Sequence, residues 1–502
     1  MKAWLARFLV AAACASVVSV ASADGIARGV AALARAGVAP AAGGVPRLVL
    51  ATPDPAIAGP AQVGSAWDAG AWGAYGRGVA AAARAAGANV VAVRLGPFAS
   101  DPQLESFAIE PIAAGITRAH ALAALVPSAE PGTDPVALHA LDLPPLEAGL
   151  RGGAGAIACT LPGAPWVAAL CRDPRGLAKA LERDVRFEGF VTGSSLRELT
   201  TWARVKRAVR KAGLYGRTPL PAAPGARAEL SRRLVQSGAV LLKNGGDVLP
   251  LDPATTRSLL LVGADEATRA AVAAAFPSAR IDVQSDWAGA IAVAGRYQAV
   301  VIVTAAADSD EAAGVAAIFA ANPRTIAVVE RSPAALEGPA AAAALLLAWD
   351  PVAGTAPAVA NLLAGKAAPA GRLSVATASY PLGAGLTYTD FVFSGFEVAY
   401  GKGRAPVTVS FLVRNAGKRT GTAVPRLTLD LPSGGSRLAA FARITLAPGK
   451  ERRIRLPLQA RAFAIWSASF GAWYVAAGTY SATVADGPAG TPLEGTIRIV
   501  SR

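Results

Sequence analysis

Four short runs constrain this chain more than any other feature: SLLLVGA (258–264), AVVIVTAA (299–306), RTIAVVE (324–330) and AALLLAW (343–349). Each is nearly continuous in leucine, isoleucine, valine and alanine, without polar alternation. A strand of that kind must be covered on both faces, as parallel strands are when helices flank their sheet. Helix-length stretches at 266–276, 310–321 and 354–364 supply the crossovers. Residues 226–379 are therefore expected to form an open α/β sandwich, set off from the preceding sequence by the linker TPLPAAPGA (218–226).

The flanking regions read differently. From 45 to 217, the β-type runs RLVLA (47–51), NVVAVRLG (89–96), GAIACTL (155–161) and GFVTGS (189–194) are separated by alanine-rich helical stretches such as Trp72 to Gly87 and Pro174 to Asp184. That alternation predicts a second α/β layer structure with parallel strands. From 386 to 502 the pattern changes to strict alternation. VTVSFLVRN (407–415), PRLTLDL (425–431), RITLAPGKERRIRLPL (443–458) and GTYSATVAD (478–486) are punctuated by Gly, Pro and Asn. Strands with one wet face and one dry face predict a small antiparallel β-sandwich of immunoglobulin or fibronectin type.

At the start, Lys2 and Arg7 precede an apolar run from Phe8 to Val20, which ends in Ala21-Ser22-Ala23 before Asp24. A charged start, a short greasy middle and a small-residue cleavage site predict a signal peptide over 1–23. The run is short of the ~20 residues that span a bilayer. Residues 24–44 form an Ala/Gly/Pro-rich leader, and the mature chain is expected to be exported, periplasmic or extracellular, without a membrane span. Cleavage leaves Cys159 and Cys171, which either form a disulfide in an oxidising compartment or remain two buried thiols. His120 and His139 are the only histidines, and no Cys/His cluster has metal-ligand spacing, so no metal or other cofactor is expected. The net charge of +15 and the basic stretch containing Arg204, Arg207, Arg210 and Lys211 do not predict nucleic-acid binding, because no nucleic-acid fold motif accompanies them. Helical spacing makes that stretch a solvated face, while the excess charge favours anionic surfaces such as cell-envelope polymers.

Several segments carry a family resemblance. YPLGAGLTYTDF (380–391) is similar to the joint that precedes the fibronectin-like domain of glycoside hydrolase family 3 β-glucosidases. AVLLKNGGDVLPL (239–251) resembles the segment that opens the family's sandwich domain. LPPLEAGLRGGAGAIA (143–158), EGFVTGS (188–194), GSAWDAGAW (64–72) and ESFAIEP (105–111) resemble segments of its catalytic barrel, in the same order. The resemblance implies a multidomain α/β plus all-β chain: an incomplete (β/α) TIM-like barrel over 45–217, the α/β sandwich, and a C-terminal fibronectin type III-like β-sandwich. A (β/α)8 barrel takes ~250 residues and at least ~200. The 173 residues of 45–217 fall short of that.

The same resemblance marks what is missing. A retaining glycosidase needs two carboxyl groups ~5–5.5 Å apart, one attacking the anomeric carbon and one protonating the leaving oxygen. The family's nucleophile is the aspartate of Gly-Phe-Val-x-Ser-Asp. Here Gly189-Phe190-Val191-Thr192-Gly193 leads to Ser194, a neutral hydroxyl with no sequence-adjacent histidine to activate it. The family's sugar-gripping Lys-His pair is absent from 121–133. Its Gly-Arg-Asn is replaced by residues before Glu105, its Tyr-Asn by Leu161-Pro162, and its stacking tryptophan by Ser195. Its acid/base glutamate would fall in AAADSDEAAGV (305–315), where Asp308, Asp310 and Glu311 are the local carboxylates. They are either acids or first-turn residues of the following helix. Trp67 and Trp166 are platforms for a sugar or, alternatively, core residues. The reading that results is a catalytically inactive homologue that binds a glycan or an anionic envelope polymer. The alternatives are an active β-glucosidase-like hydrolase and a purely structural protein-interaction module.

Overall fold

The computed structural model describes residues 50–51, 53–54, 57–126, 140–141, 143–158, 189–192, 195–197, 210, 212–213, 225–304, 309–331, 336, 338–401, 406–432, 434–487 and 490–500. They fall into two compact units. One takes residues up to 57 with 72–96 and 109–227; the other takes 58–71, 97–108 and 228–502.

The first unit holds a six-stranded sheet. Its strands, β1 (Leu50–Ala51), β2 (Val90–Arg94), β3 (Leu122–Val126), β4 (Ala156–Ala158), β5 (Gly189–Thr192) and β6 (Ser195–Arg197), lie side by side in chain order. β1 to β5 are parallel, the arrangement that successive strand–helix units produce. β6 instead runs back antiparallel on β5, pairing Thr192 with Ser195 and Phe190 with Arg197. Among the described residues β1 and β6 are the two ends of this sheet, and no pairing closes it into a barrel.

Three helices, α2 (Ala69–Ala85), α3 (Pro102–Arg118) and α4 (Leu143–Arg151), run between these strands along the chain, whereas the short α1 (Pro60–Gly64) belongs to the second unit. Glycines set how closely α2 and α3 approach. A β-carbon on Gly76 would overlap the Ile112 carbonyl, and one on Gly115 would overlap the Gly73 carbonyl. β3 is entirely buried, yet its sequence LAALV did not read as a strand. Alanine and leucine favour helix, and only burial on both faces overrides that preference here.

In the second unit, helix α5 (Ala226–Gly238) leads into β7 (Val240–Asn244). Then follow β8 (Ser258–Val262), α6 (Glu266–Ala275), β9 (Arg280–Gln284), α7 (Trp287–Val293), β10 (Ala299–Thr304), α8 (Ser309–Ala321), β11 (Thr325–Val329), β12 (Ala344–Leu347) and α9 (Thr355–Leu363). The sheet order is β7-β12-β11-β10-β8-β9, parallel except for β7. Alternate residues of the apolar runs divide between two cores. Leu259, Leu261, Val301, Ile326, Val328 and Leu346 belong to one face. Leu260, Val262, Val300, Ile302, Ala327 and Leu347 belong to the other. Both faces are dry, as the absence of polar alternation requires.

Asn244 explains part of the LLKN segment. Its side chain donates to the Leu249 carbonyl at 2.8 Å and accepts from the Leu249 amide at 2.9 Å, clamping the turn that carries Gly246 at φ +62°. β9, at one end of the sheet, carries Arg280 and Asp282, which pair with each other and with the Tyr297 hydroxyl.

The rest of this unit is all-β. Its strands are β13 (Phe391–Tyr400), β14 (Val407–Asn415), β15 (Gly421–Ala423), β16 (Arg426–Asp430), β17 (Ser436–Phe441), β18 (Ile444–Leu446), β19 (Glu451–Leu458), β20 (Ala464–Ser467), β21 (Ala472–Val475), β22 (Gly478–Ala485) and β23 (Leu493–Ile499). They pair antiparallel as β13-β14-β19, β17-β16-β22-β23 and two short ribbons, β15-β18 and β20-β21. The inward residues, among them Val409, Phe411, Leu427, Leu429, Tyr480 and Val484, make one core. Buried Tyr480 donates its hydroxyl to the Ala476 carbonyl four residues back, at 2.8 Å, so that its polar end is satisfied.

The joint between sandwich and β-sandwich is held by backbone and by charge. Gly383 takes φ +75°, and a β-carbon there would run into the Arg426 guanidinium, which donates to the Leu382 carbonyl at 2.8 Å. Arg372 and Asp486, 1% and 6% exposed, form a buried ion pair at 2.7 Å, and the second Asp486 oxygen accepts the Val424 amide.

Candidate functional site

In an open parallel sheet, ligands meet the chain where successive connections leave a strand in opposite directions, outside the carboxyl ends of the strands. Here that strand is β8: the chain goes from it to β9 on one side and then to β10 on the other. The residues at this edge are polar. Gly263 follows β8 at φ +71°, its α-carbon so close to the Val303 carbonyl that a β-carbon would sit 2.6 Å from it. Asp265, two residues on, caps α6, accepting the Thr268 amide at 2.8 Å. That bond holds its carboxyl below the usual range.

On the neighbouring strand, Thr304 ends β10 and donates its hydroxyl to buried Glu311 in the first turn of α8. Glu330 directly follows β11, its amide bonded to the Thr304 carbonyl at 2.8 Å. Partial burial, with a smaller contribution from the charge of Asp265, raises the Glu330 carboxyl from 4.5 to about 7. The edge therefore presents one carboxylate kept ionised and one carboxyl that exchanges its proton near neutrality. Two acidic groups driven apart in this way are the usual means of setting up an acid and a base in one site.

Of the residues singled out from sequence, Asp310 is exposed in the first turn of α8 and Glu311 lies at the edge against Thr304. Trp67 requires a correction. It is fully buried at φ +45°, its indole N–H donates to the Arg372 carbonyl at 2.9 Å, and its ring meets Phe441 edge-on at 5.4 Å. A ring so enclosed offers no face to a sugar. Ser194, Asp308, Trp166, Cys159 and Cys171 lie outside the described residues.

Glu330 and Asp265 were not anticipated, although each stands directly at or just beyond the end of a run already read as a buried parallel strand. That position is the signal that could have found them. Among the described residues no group of three or more His, Cys, Asp or Glu could hold a metal ion, and no helix is long and apolar enough to cross a membrane.

Residues 239–392 match the glycosyl hydrolase family 3 C-terminal domain, and residues 432–487 match the fibronectin type III-like domain. The probable β-glucosidase D of Aspergillus niger is 29% identical over a match covering 24% of this chain and 19% of that protein. The thermostable β-glucosidase B of Acetivibrio thermocellus is also 29% identical, over 24% of this chain and 17% of its own length. The chain thus matches less than a fifth of these relatives' length.

Among solved structures, the β-glucosidase D2-BGL of Chaetomella raphigera superposes with a TM-score of 0.74 at 16% identity, covering 97% of this chain and 98% of the other. The β-D-glucoside glucohydrolase of Trichoderma reesei gives 0.71 at 17%, covering 88% and 89%. Residues 239–392 thus carry the C-terminal domain of glycosyl hydrolase family 3, and the chain as a whole is similar in fold to the family's β-glucosidases.

Proposed function

We propose that this protein is an exported, non-hydrolysing family 3 homologue that binds a glycan at the cell envelope. The observation that carries the reading is the strand at the nucleophile position. The carboxylate is replaced by Ser194, and Thr192 and Ser195 on either side of that position pair with each other in an antiparallel ribbon. A family nucleophile has to stand at the end of a strand facing the sugar, with a carboxylate to stabilise the developing oxocarbenium charge. The first unit is taken as a shortened form of the family's barrel, and its five parallel strands in chain order support that.

A second reading, an active β-glucosidase-like hydrolase, is favoured by the place of Glu330 at the carboxyl edge of the sheet, where partial burial pushes its carboxyl up to about 7, in the range of a leaving-group acid. Turnover of a dinitrophenyl β-glucoside separates the two, because this leaving group needs no acid. We expect none from the wild type, and none from Ser194→Asp, since one restored carboxylate leaves the sugar-gripping residues absent and such groups act as a unit. Turnover by the wild type that Ser194→Ala abolishes would replace the first reading with the second. Glycan binding is then measured by calorimetry on the full chain.

A further inference from the structure

A cleft of about 630 Å³ opens in the second unit, at the joint of sandwich and β-sandwich, away from the carboxyl edge of the sheet. Its walls come from α5, the loop after α9, the β14–β15 turn and the segment around β18. Five of the lining residues are cations, Arg232, Arg233, Lys366, Arg419 and Arg443, and none is an aspartate or glutamate.

The five are not equivalent. Arg443 is fixed in the wall: it donates to the Ala66 and Ala370 carbonyls and sits 3.5 Å from Asp68. Arg232 and Arg233 share Glu229, at 2.8 and 3.6 Å. Lys366 and Arg419 are exposed and have no ion pair among the described residues. Gly365, the neighbour of Lys366 in the chain, lies close to Arg419. It takes φ +64°, and a β-carbon there would stand 3.4 Å from an Arg419 guanidinium nitrogen.

We infer that this cleft binds a carboxylate-bearing oligosaccharide, with Lys366 and Arg419 as its principal anion contacts. The inference rests on the glycan-binding reading and names the charge class of the glycan. The volume lies within the ~300–1,000 Å³ of ligand pockets and is too large for a single small anion. The cations come from several elements around the cleft, which suits a chain with repeated charges. Concentrated positive charge in a concave site raises the local anion concentration, and guanidinium groups match carboxylates in a two-point geometry. The threonine and glutamine side chains between them offer hydrogen bonds to hydroxyl groups.

The test is calorimetric titration of the full chain with tetragalacturonate, with neutral cellotetraose and with tripolyphosphate. Lys366→Gln, Arg419→Gln and the double variant are measured alongside, each checked by a cooperative melt. We expect tetragalacturonate binding that weakens with added salt and falls at least about tenfold in the double variant. Unchanged binding in the double variant overturns the assignment of the site. Tripolyphosphate binding as tightly as tetragalacturonate overturns the sugar class. Binding of cellotetraose alone would defeat this inference and leave the glycan-binding reading standing. Binding of neither sugar would defeat both.

Discussion

Glu330, one residue past β11, has its carboxyl pushed up by partial burial to about 7, whereas an unperturbed glutamate releases its proton near 4.5. Between those values the folded state binds more protons than the unfolded one, so this group lowers stability progressively as pH rises and leaves it lower above 7. The effect is about 1–2 kcal/mol once solvent screening of a partly buried group is allowed for. Glu330→Gln removes it. Calorimetric melts should show the variant a few degrees more stable than wild type at pH 8 and no more stable at pH 4.5; parallel Tm curves across that range would sink the assignment. Trp67 is the opposite case. Its aromatic type made it a candidate sugar platform, but a residue's type says nothing of which way its ring faces, and Arg372 and Phe441 enclose it.

Among elements, the legible ones are those whose pattern has a single physical solution. The four apolar runs became β8, β10, β11 and β12 within a few residues, because a strand without polar residues can only lie between two covered faces. β9, with Arg280, Asp282 and Gln284 alternating along its length, carries a weak signal and was not read as a strand, as is common for the outer member of a sheet. β20 and β21 were missed for a related reason: they pair only with each other. At the joint, the glycines of 380–391 were recognised by resemblance, and Gly383 now has a cause in its positive φ and its contact with Arg426. The tie that no motif announced is Arg372 with Asp486, 114 positions apart. Asp486→Ala leaves a guanidinium buried without its partner and should cost about 3–5 kcal/mol by urea unfolding. Asp486→Asn, which keeps an acceptor, should cost less, and a loss under 1 kcal/mol in the alanine variant would refute the role given to the pair.

At the scale of the whole molecule, the second unit does not begin where its linear sequence does. Residues 58–71 and 97–108 belong to it. Gln62 donates to the Ala348 carbonyl, Ser65 bonds Ser374, and Trp67 fills the space beside Arg372. A fragment of residues 226–502 should therefore melt several degrees below the same unit in the full chain, and a peptide of residues 58–71 should restore part of the difference. Equal melting temperatures would show that the early segments contribute nothing. The outer strand β9 has a further consequence for how copies of this protein meet in a crowded compartment. An uncovered strand offers unmade backbone bonds to any neighbour, and a plain valine-rich one would invite polymerisation. Arg280 and Asp282 face outward there with their charges already matched to each other. A second molecule adding its own β9 would have to strip water from two such pairs at once, so the sheet can remain open-ended without becoming adhesive.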